Sequence, residues 1–347
     1  MNKITINTNP SYDVIIEDNL LNSVDKYILE YVSPCKVCII TDSTVNSLYA
    51  NKVKFNLEKS GFITSKVVFP PGEHSKSLAN YSNIIEAIGN EGLTKSDCII
   101  ALGGGVVGDL AGFVASSYMR GIKYIQIPTS YLAALDSSVG GKTGINLLRG
   151  KNLVGSFWNP LLVLCDPTVF NTLPTVKRMD GIAEAVKNAV VTDKNLLEPI
   201  KTNSYTYVIE RCVSIKKSIV EADQYEESLR QLLSFGHLIG HAIEKLSGYS
   251  VSHGHAIAAG MVFEARAAYK MGLTDNDISQ ELTELLDDLG FITSINYSID
   301  NLYEYAIMSK RINKNMINIV IPVEIGKCKL AKLELNRLKE YLTMGKE

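Results

Sequence analysis

The sequence specifies two domains of different class: an α/β first domain over residues 1–174, built on a mostly parallel sheet, and a mainly α-helical second domain over 175–347. Two observations carry that expectation. In the first half, short β-branched runs alternate with helical patterns, as they do where strands are joined by crossover helices. From about Thr175 the pattern changes to long amphipathic helices. Size agrees, because 347 residues, 46% apolar and 21% charged, suit a soluble globular chain with sizeable cores.

The expected strands are 37–41, 64–69, 98–102, 122–127 and 161–165. Residues 131–135 read as helix, and the glycine-rich stretch 140–155 reads as a weakly periodic loop, costly to order without a ligand. In the second half, helices are expected to break at Asp193, Asn203, Asp223, Ser247 and Gly272, with a late strand pair near 317–330. One helix is expected to run from Leu229 to Leu246. It places Leu229, Leu232, Leu233, Ile239, Ile243 and Leu246 on one face, and Arg230, Ser234, His237 and His241 on the opposite one. Only the change of period marks the boundary, near 170–178, and a cleft between the domains is the default site.

Charge and composition exclude some classes. Lys plus Arg total 35 against 37 Asp plus Glu, a formal charge of −2, so nothing global draws the chain to nucleic acid or anionic membrane. No apolar run reaches the ~18 residues of a membrane span, and residues 1–10 lack the regions of a secretory signal, so the expected location is the cytoplasm. The six cysteines are dispersed, mostly in apolar runs, and disulfides are not expected. Cys35 and Cys38 form a CxxC, but Cys38 lies inside a strand-like run and no second CxxC exists.

The run Cys98-Ile-Ile-Ala-Leu102 leads directly into Gly103-Gly-Gly-Val-Val-Gly-Asp109, which reads as strand, glycine turn and helix. Gly103, Gly105 and Gly108 fit GxGxxG in the context a dinucleotide site needs: backbone close to a pyrophosphate, and a helix start to hold it. The usual ribose acid is absent from the strand end at Pro128-Thr129, so Asp42 or Glu73 is expected to replace it. Gly141-Lys142-Thr143 imitates the end of a P-loop, but Asp136 stands where its first glycine belongs, so triphosphate binding is rejected.

Four of the five histidines, His237, His241, His253 and His255, fall within nineteen residues. Histidine is the commonest transition-metal ligand and proton shuttle near neutral pH, so the cluster reads as one site. His237 and His241, at i and i+4, both reach a metal held beside their helix, and a three-ligand site needs a third group. Candidates are His253, His255 and a carboxylate, with Glu184 on the helical segment 181–187 and Lys187 one turn away. Gly236 and Gly240 interrupt the histidine helix at roughly 1 kcal/mol each relative to alanine, which points to close packing or ligand approach. A metal beside a nicotinamide suggests oxidation of an alcohol.

Together the blocks Pro70-Pro-Gly-Glu-His-Ser-Lys-Ser77, Gly103 to Gly112, Asp136-Ser-Ser-Val-Gly-Gly-Lys-Thr-Gly144, Gly150-Lys-Asn152 and Phe235-Gly-His-x-x-Gly-His-Ala242 resemble the 3-dehydroquinate synthase family, from about residue 10 to about 330. The resemblance implies a glycerol-dehydrogenase-like, doubly wound first domain and a phosphate-eliminating carbon-oxygen lyase of the shikimate pathway. Its substrate is 3-deoxy-D-arabino-heptulosonate 7-phosphate and its products are 3-dehydroquinate and phosphate. NAD+ transiently oxidises the C4 hydroxyl, phosphate leaves, the ketone is reduced again, and an intramolecular aldol closes the ring.

The same resemblance implies Glu184, His237 and His253 as ligands of Zn2+ or Co2+. It makes His241 a proton shuttle, with Lys142, Asp136, Lys187 and Glu226 as further catalytic residues. Substrate contacts fall on Arg120, Lys142, Asn152, Lys216, Arg230, Ser234 and Lys310, with Arg120 reaching across a homodimer. NAD+ contacts fall on Asp42, Glu73, Lys76, Gly104, Gly105, Asp109, Thr129, Ser130, Lys142, Lys151 and Thr172.

Three departures from the family pattern stand out: Ser234 for asparagine, Gln224 for glutamate, and His253-Gly-His255 for His-Gly-Glu. His255 is expected near the metal shell without displacing His253 as ligand. The rivals are another sugar-phosphate cyclase, a metal-dependent polyol dehydrogenase, and a non-catalytic NAD-sensing protein. Lys216 and Arg230, a carboxylate-binding pair, argue for the acid-bearing substrate.

Overall fold

The computed structural model describes residues 1–308 and 312–346. The chain divides into two compact units, Met1–Leu173 with Lys216–Glu221, and Pro174–Ile215 with Ala222–Glu347.

Nine strands lie in the first unit: β1 (Asn2–Ile6), β2 (Tyr12–Ile16), β3 (Lys36–Asp42), β4 (Ile63–Phe69), β5 (Cys98–Gly103), β6 (Lys123–Pro128), β7 (Lys142–Leu147), β8 (Gly150–Phe157) and β9 (Leu162–Cys165). Seven form one sheet in the order β1-β2-β9-β6-β5-β3-β4. Every neighbouring pair from β2 to β4 is parallel, and β1 is an antiparallel edge. All five expected strands are present. Four of them, β3, β5, β6 and β9, are legible because a parallel strand covered on both faces is a continuous apolar run, and β5 is buried along its whole length. Ile84, Ile88, Leu110, Val114 and Tyr124 belong to one core cluster with Ile99 and Ala101 of β5.

The stretch 140–155 is not a loop. β7 and β8 pair as an antiparallel hairpin. Its glycines permit a close approach, since a Cβ on Gly144 would lie 2.6 Å from the Val154 carbonyl oxygen. With glycine at these positions there is no side-chain alternation to reveal a strand.

Strand order also fixes where a ligand belongs. From β3 the chain crosses to β4 on one side, then returns to β5 on the other side of β3 and continues outward to β6. The carboxyl ends of β3 and β5, carrying Asp42 and Gly103, therefore flank the point where the winding reverses, which is the usual ligand crevice of such sheets.

The second unit is helical, with Thr175–Val191, His237–Leu246 and His253–Lys270 central to it, and a small antiparallel sheet of β10 (Ile312–Asn313), β11 (Met316–Glu324) and β12 (Lys327–Glu334). The late strand pair is thus present and extends beyond the expected span. Ile239, Ile243, Ala259, Phe263, Ile319 and Tyr341 share one core cluster.

The continuous helix expected over 229–246 is broken. Leu229–Ser234 is a 3-10 turn, Phe235 is extended, and the α-helix begins at His237 after Gly236 in the left-handed region, φ 77°. Arg230 and Ser234 therefore do not share a helix face with His237 and His241. The cause is packing: a Cβ on Gly236 would lie 2.6 Å from Met261 Cγ and 2.8 Å from the Ile257 oxygen, and one on Gly240 would lie 2.5 Å from Ile257 Cδ1. The two glycines let the helices at 237 and 253 touch backbone to backbone. Among the described residues no helix is long and apolar enough to cross a membrane.

Candidate active site

Three side chains of the second unit converge. Glu184 Oε1 lies 3.3 Å from His237 Nε2 and 3.1 Å from His253 Nε2. One ligand atom from each of Glu184, His237 and His253 falls within 4.8 Å of the others. A carboxylate oxygen with two imidazole nitrogens is a donor set that suits Zn2+ or Co2+ and leaves positions for substrate, so the residues fit such an ion.

Each donor is placed by the backbone around it. Glu184 is on the helix Thr175–Val191, and one turn earlier Asp180 Oδ1 accepts the Gly254 N–H at 2.7 Å, which ties the start of the His253 helix to the helix of Glu184. Gly254 must be glycine, because a Cβ there would lie 2.5 Å from Asp180 Cα. The His237 helix is held at its own start by Glu264, only 1% exposed, which accepts the N–H groups of Gly236 at 3.1 Å and Leu238 at 3.0 Å. His237 Nδ1 lies 3.0 Å from the Phe235 carbonyl oxygen, so it carries the proton and directs Nε2 toward Glu184. His241, one turn along, is exposed, with its ring centroid 5.2 Å from that of His237.

Burial alone would raise the Glu184 carboxyl, but Lys187, then His237 and His253, hold it well below the usual range. The Lys187 ammonium donates to Glu184 Oε2, and both side chains are buried. Burial outweighs the pull of Glu184 on His237 and lowers it, whereas His253, set between Glu184 and Glu244, is pushed up to about 10 despite burial.

Arg230 is 1% exposed and donates through Nη1 to the Gln224 carbonyl oxygen at 2.6 Å. Because that acceptor is main chain, glutamine in place of glutamate at 224 leaves the bond unchanged. The turn that carries Arg230 is organised by Asp223, which accepts the N–H groups of Glu227 (2.9 Å), Ser228 (2.8 Å) and Arg230 (2.9 Å). Burial pushes the Asp223 carboxyl up, yet the bonds from Arg230, Glu227 and Ser228 bring it below its ordinary value. A carboxyl depressed in the folded state stabilises above the unfolded value of ~3.9, and that contribution is lost as pH falls through the folded value. Asp223→Asn should therefore lower the urea midpoint at neutral pH, and the gap to wild type should close on acidification; a gap independent of pH would refute the linkage.

In the first unit, the helix Gly105–Ser117 follows β5 through Gly104 with no side-chain cap, which leaves its N–H groups facing the crevice. A Cβ on Gly104 would approach Ser130 Oγ to 3.2 Å, and one on Gly105 would approach Ser137 Oγ to 3.0 Å, so the turn packs closely on these two serines and glycine suits both positions. Thr129 N–H donates to the Gly103 oxygen at 2.9 Å. Asp42 Oδ1 accepts Thr44 N–H at 2.9 Å and Val45 N–H at 3.0 Å, which fixes the carboxylate at the end of β3. Lys76, 3% exposed, donates to Asp109 Oδ2 at 2.6 Å and to Asn152 Oδ1, while Glu73 Oε1 accepts from Asn146 Nδ2 at 2.7 Å. A glycine-lined helix start with carboxylates at neighbouring strand ends fits a dinucleotide.

A family profile described as 3-dehydroquinate synthase N-terminal matches residues 66–180, and one described as 3-dehydroquinate synthase C-terminal matches residues 181–312. The chain belongs to the 3-dehydroquinate synthase family. The curated 3-dehydroquinate synthase of Streptococcus thermophilus is 41% identical over 352 residues, covering 98% of this chain and 99% of that protein. That of Streptococcus pneumoniae is 41% identical over 343 residues, covering 95% and 96%. Among solved structures, 2-deoxy-scyllo-inosose synthase complexed with carbaglucose-6-phosphate, NAD+ and Co2+ is 26% identical with a TM-score of 0.89, covering 98% of this chain and 99% of that one. Glycerol dehydrogenase from Schizosaccharomyces pombe shares the fold at 15% identity and a TM-score of 0.67, covering 96% and 88%.

The other positions drawn from the resemblance to 3-dehydroquinate synthase are distributed as follows. In the first unit, Lys216 Nζ binds Asp136 at Oδ1 (2.9 Å) and at its carbonyl oxygen, Lys142 and Lys151 are half-buried in the β7–β8 hairpin, and Arg120 is exposed with φ 59°. Thr172 Oγ1 donates to the Val169 oxygen and meets the Tyr49 hydroxyl. In the second unit, Glu226 has φ 62° and its carbonyl oxygen accepts from Gln231 Nε2, while Ser234 Oγ donates to the Gln231 oxygen. His255 belongs to neither metal-type cluster; its Nδ1 meets Ser252 Oγ at 3.1 Å and its ring lies 5.1 Å from that of Phe291. Lys310 lies outside the described residues.

Proposed function

We propose that this chain converts 3-deoxy-D-arabino-heptulosonate 7-phosphate into 3-dehydroquinate and phosphate, with NAD+ and a divalent metal, Zn2+ or Co2+. The observation that carries the reading is the convergence of Glu184, His237 and His253 in a chain of this family. Glu184, His237 and His253 hold the ion, and the Gly104–Gly105 turn with Asp42, Glu73, Lys76, Asp109, Thr129, Ser130, Lys142, Lys151 and Thr172 holds the dinucleotide. When bound, the ion would supply positive charge to the reacting hydroxyls, and the nicotinamide would supply reversible hydride chemistry.

The chain's own residues supply the rest. His241, exposed one turn from His237, carries the proton of the reacting hydroxyl. Lys187 keeps Glu184 ionised. Lys142, Asn152 and Lys310 supply point charges and a hydrogen bond to a phosphate that must leave, and Arg120 adds to them from a second copy in a homodimer. Arg230 and Lys216 take the substrate carboxylate, Ser234 a substrate hydroxyl, and Asp136 and Glu226 orient the reacting groups. The dimer rests on the family resemblance, and the cytoplasmic location on the composition of the sequence.

Incubation with the heptulosonate phosphate, NAD+ and Zn2+ or Co2+, following phosphate and NADH absorbance together, tests the reading. Stoichiometric phosphate with no net NADH supports it, NADH accumulation indicates a polyol dehydrogenase, and silence in both directs the search to other sugar phosphates. That last arm matters because 2-deoxy-scyllo-inosose synthase shares the fold over nearly the whole chain. Lys142→Ala should retain most NAD+ binding, read by fluorescence titration, because the other dinucleotide contacts remain, and lose most turnover. Full activity in that variant contradicts the phosphate role.

A further inference from the structure

Glu244 is a buried carboxylate that none of the roles above uses. It lies on the helix His237–Leu246, three residues after His241 and seven after His237, so all three share one face. It is 4% exposed, and its Oε2 lies 3.4 Å from His253 Nδ1. The other nitrogen of the same ring, Nε2, lies 3.1 Å from Glu184 Oε1. His253 thus lies between two carboxylates on different helices, hydrogen-bonded to Glu184 and in ion-pair contact with Glu244.

We propose that Glu244 is the positioning residue for His253, accepting its Nδ1–H and so presenting Nε2 to the ion. The inference rests on the metal reading above and concerns how one ligand is aimed. An imidazole binds a metal through one nitrogen only in the tautomer that keeps the proton on the other, and a carboxylate behind the ring both selects that tautomer and makes the ligand more basic. His237 obtains the same from a backbone carbonyl, that of Phe235 at 3.0 Å. Among the described residues, His253 Nδ1 faces the Glu244 carboxylate rather than a carbonyl oxygen. A side chain from the neighbouring helix fills the role instead. Glu244 acts through His253.

The test is Zn2+ affinity by chelator competition on full-length wild type, Glu244→Gln and Glu244→Ala. Loss of an outer-shell partner of a ligating histidine weakens metal binding by ~10–100-fold. That loss is expected for Glu244→Ala, whereas Glu244→Gln, whose amide oxygen still accepts from Nδ1–H, should retain most of the affinity. Glu244→Ala within twofold of wild type, or Glu244→Gln as weak as Glu244→Ala, overturns the assignment. Should Glu244→Ala fail to fold, nitrogen NMR of Zn2+-loaded wild type decides: a proton on His253 Nδ1 supports the proposal, and a proton on Nε2 overturns it. A wild type that takes up no Zn2+ overturns the metal reading itself and Glu244's role with it. That outcome differs from one in which wild type binds and the variants bind equally.

Discussion

His253→Ala should purify without bound metal and lose about three orders of magnitude in turnover, taking several kcal/mol as the charge stabilisation a catalytic ion supplies and 1.36 kcal/mol per tenfold in rate. Removing one of three ligands leaves Glu184 and His237, which do not close a site of the usual coordination. The fold should survive, because His253 has a side chain 27% exposed. The anchor of its helix, Gly254 N–H to Asp180 Oδ1 at 2.7 Å, is also main chain to a different residue. Metal analysis with circular dichroism on the same sample separates the two effects. A folded, fully metallated and active variant would remove His253 from the ligand set, and His241 with Glu244 would be the next donors to examine, since they form a second cluster with it.

The sheet could be read from sequence where burial on both faces makes strands continuously apolar, as in β3, β5, β6 and β9, although the buried β2 was missed and the more exposed β4 was read from its β-branched residues. It could not be read at β1, which is a half-exposed edge, nor at β7 and β8, whose closest approach depends on glycines. Periodicity joined 229–246 into one helix because a period cannot register a single left-handed residue, and Gly236 is that residue. The metal-type trio was reachable from histidine density and family motifs together, although histidine spacing alone favoured His237 with His241. The acids behind it, Asp180, Glu244 and Glu264, were missed, because an isolated acid on an amphipathic helix reads as a solvated one. Two signals were present. Glu264 stands in the run 254–268, which is otherwise almost wholly apolar, and Glu244 follows His237 at i+7 and His241 at i+3.

Lys187→Met should destabilise the chain strongly when no divalent ion is present and much less when one is bound. Lys187 and Glu184 are each 1% exposed and paired. Taking away one partner of a buried pair costs about 3–5 kcal/mol when it strands the other charge, and the His253 contact with Glu184 offsets part of that. Methionine keeps the length and apolar stem of lysine, so little of that cost comes from packing. An ion ligated by Glu184 restores positive charge to the same carboxylate, and any ligand bound only by the folded state adds stability by mass action. Urea unfolding of wild type and variant, each with chelator and with saturating Zn2+, gives four values. The expected pattern is a large difference with chelator and a small one with Zn2+. Glu184→Gln combined with Lys187→Met removes both charges and should recover much of the chelator-state loss while leaving Zn2+ without effect on the midpoint. Equal losses with and without Zn2+ would mean that Glu184 faces Lys187 as a structural pair and does not serve the ion.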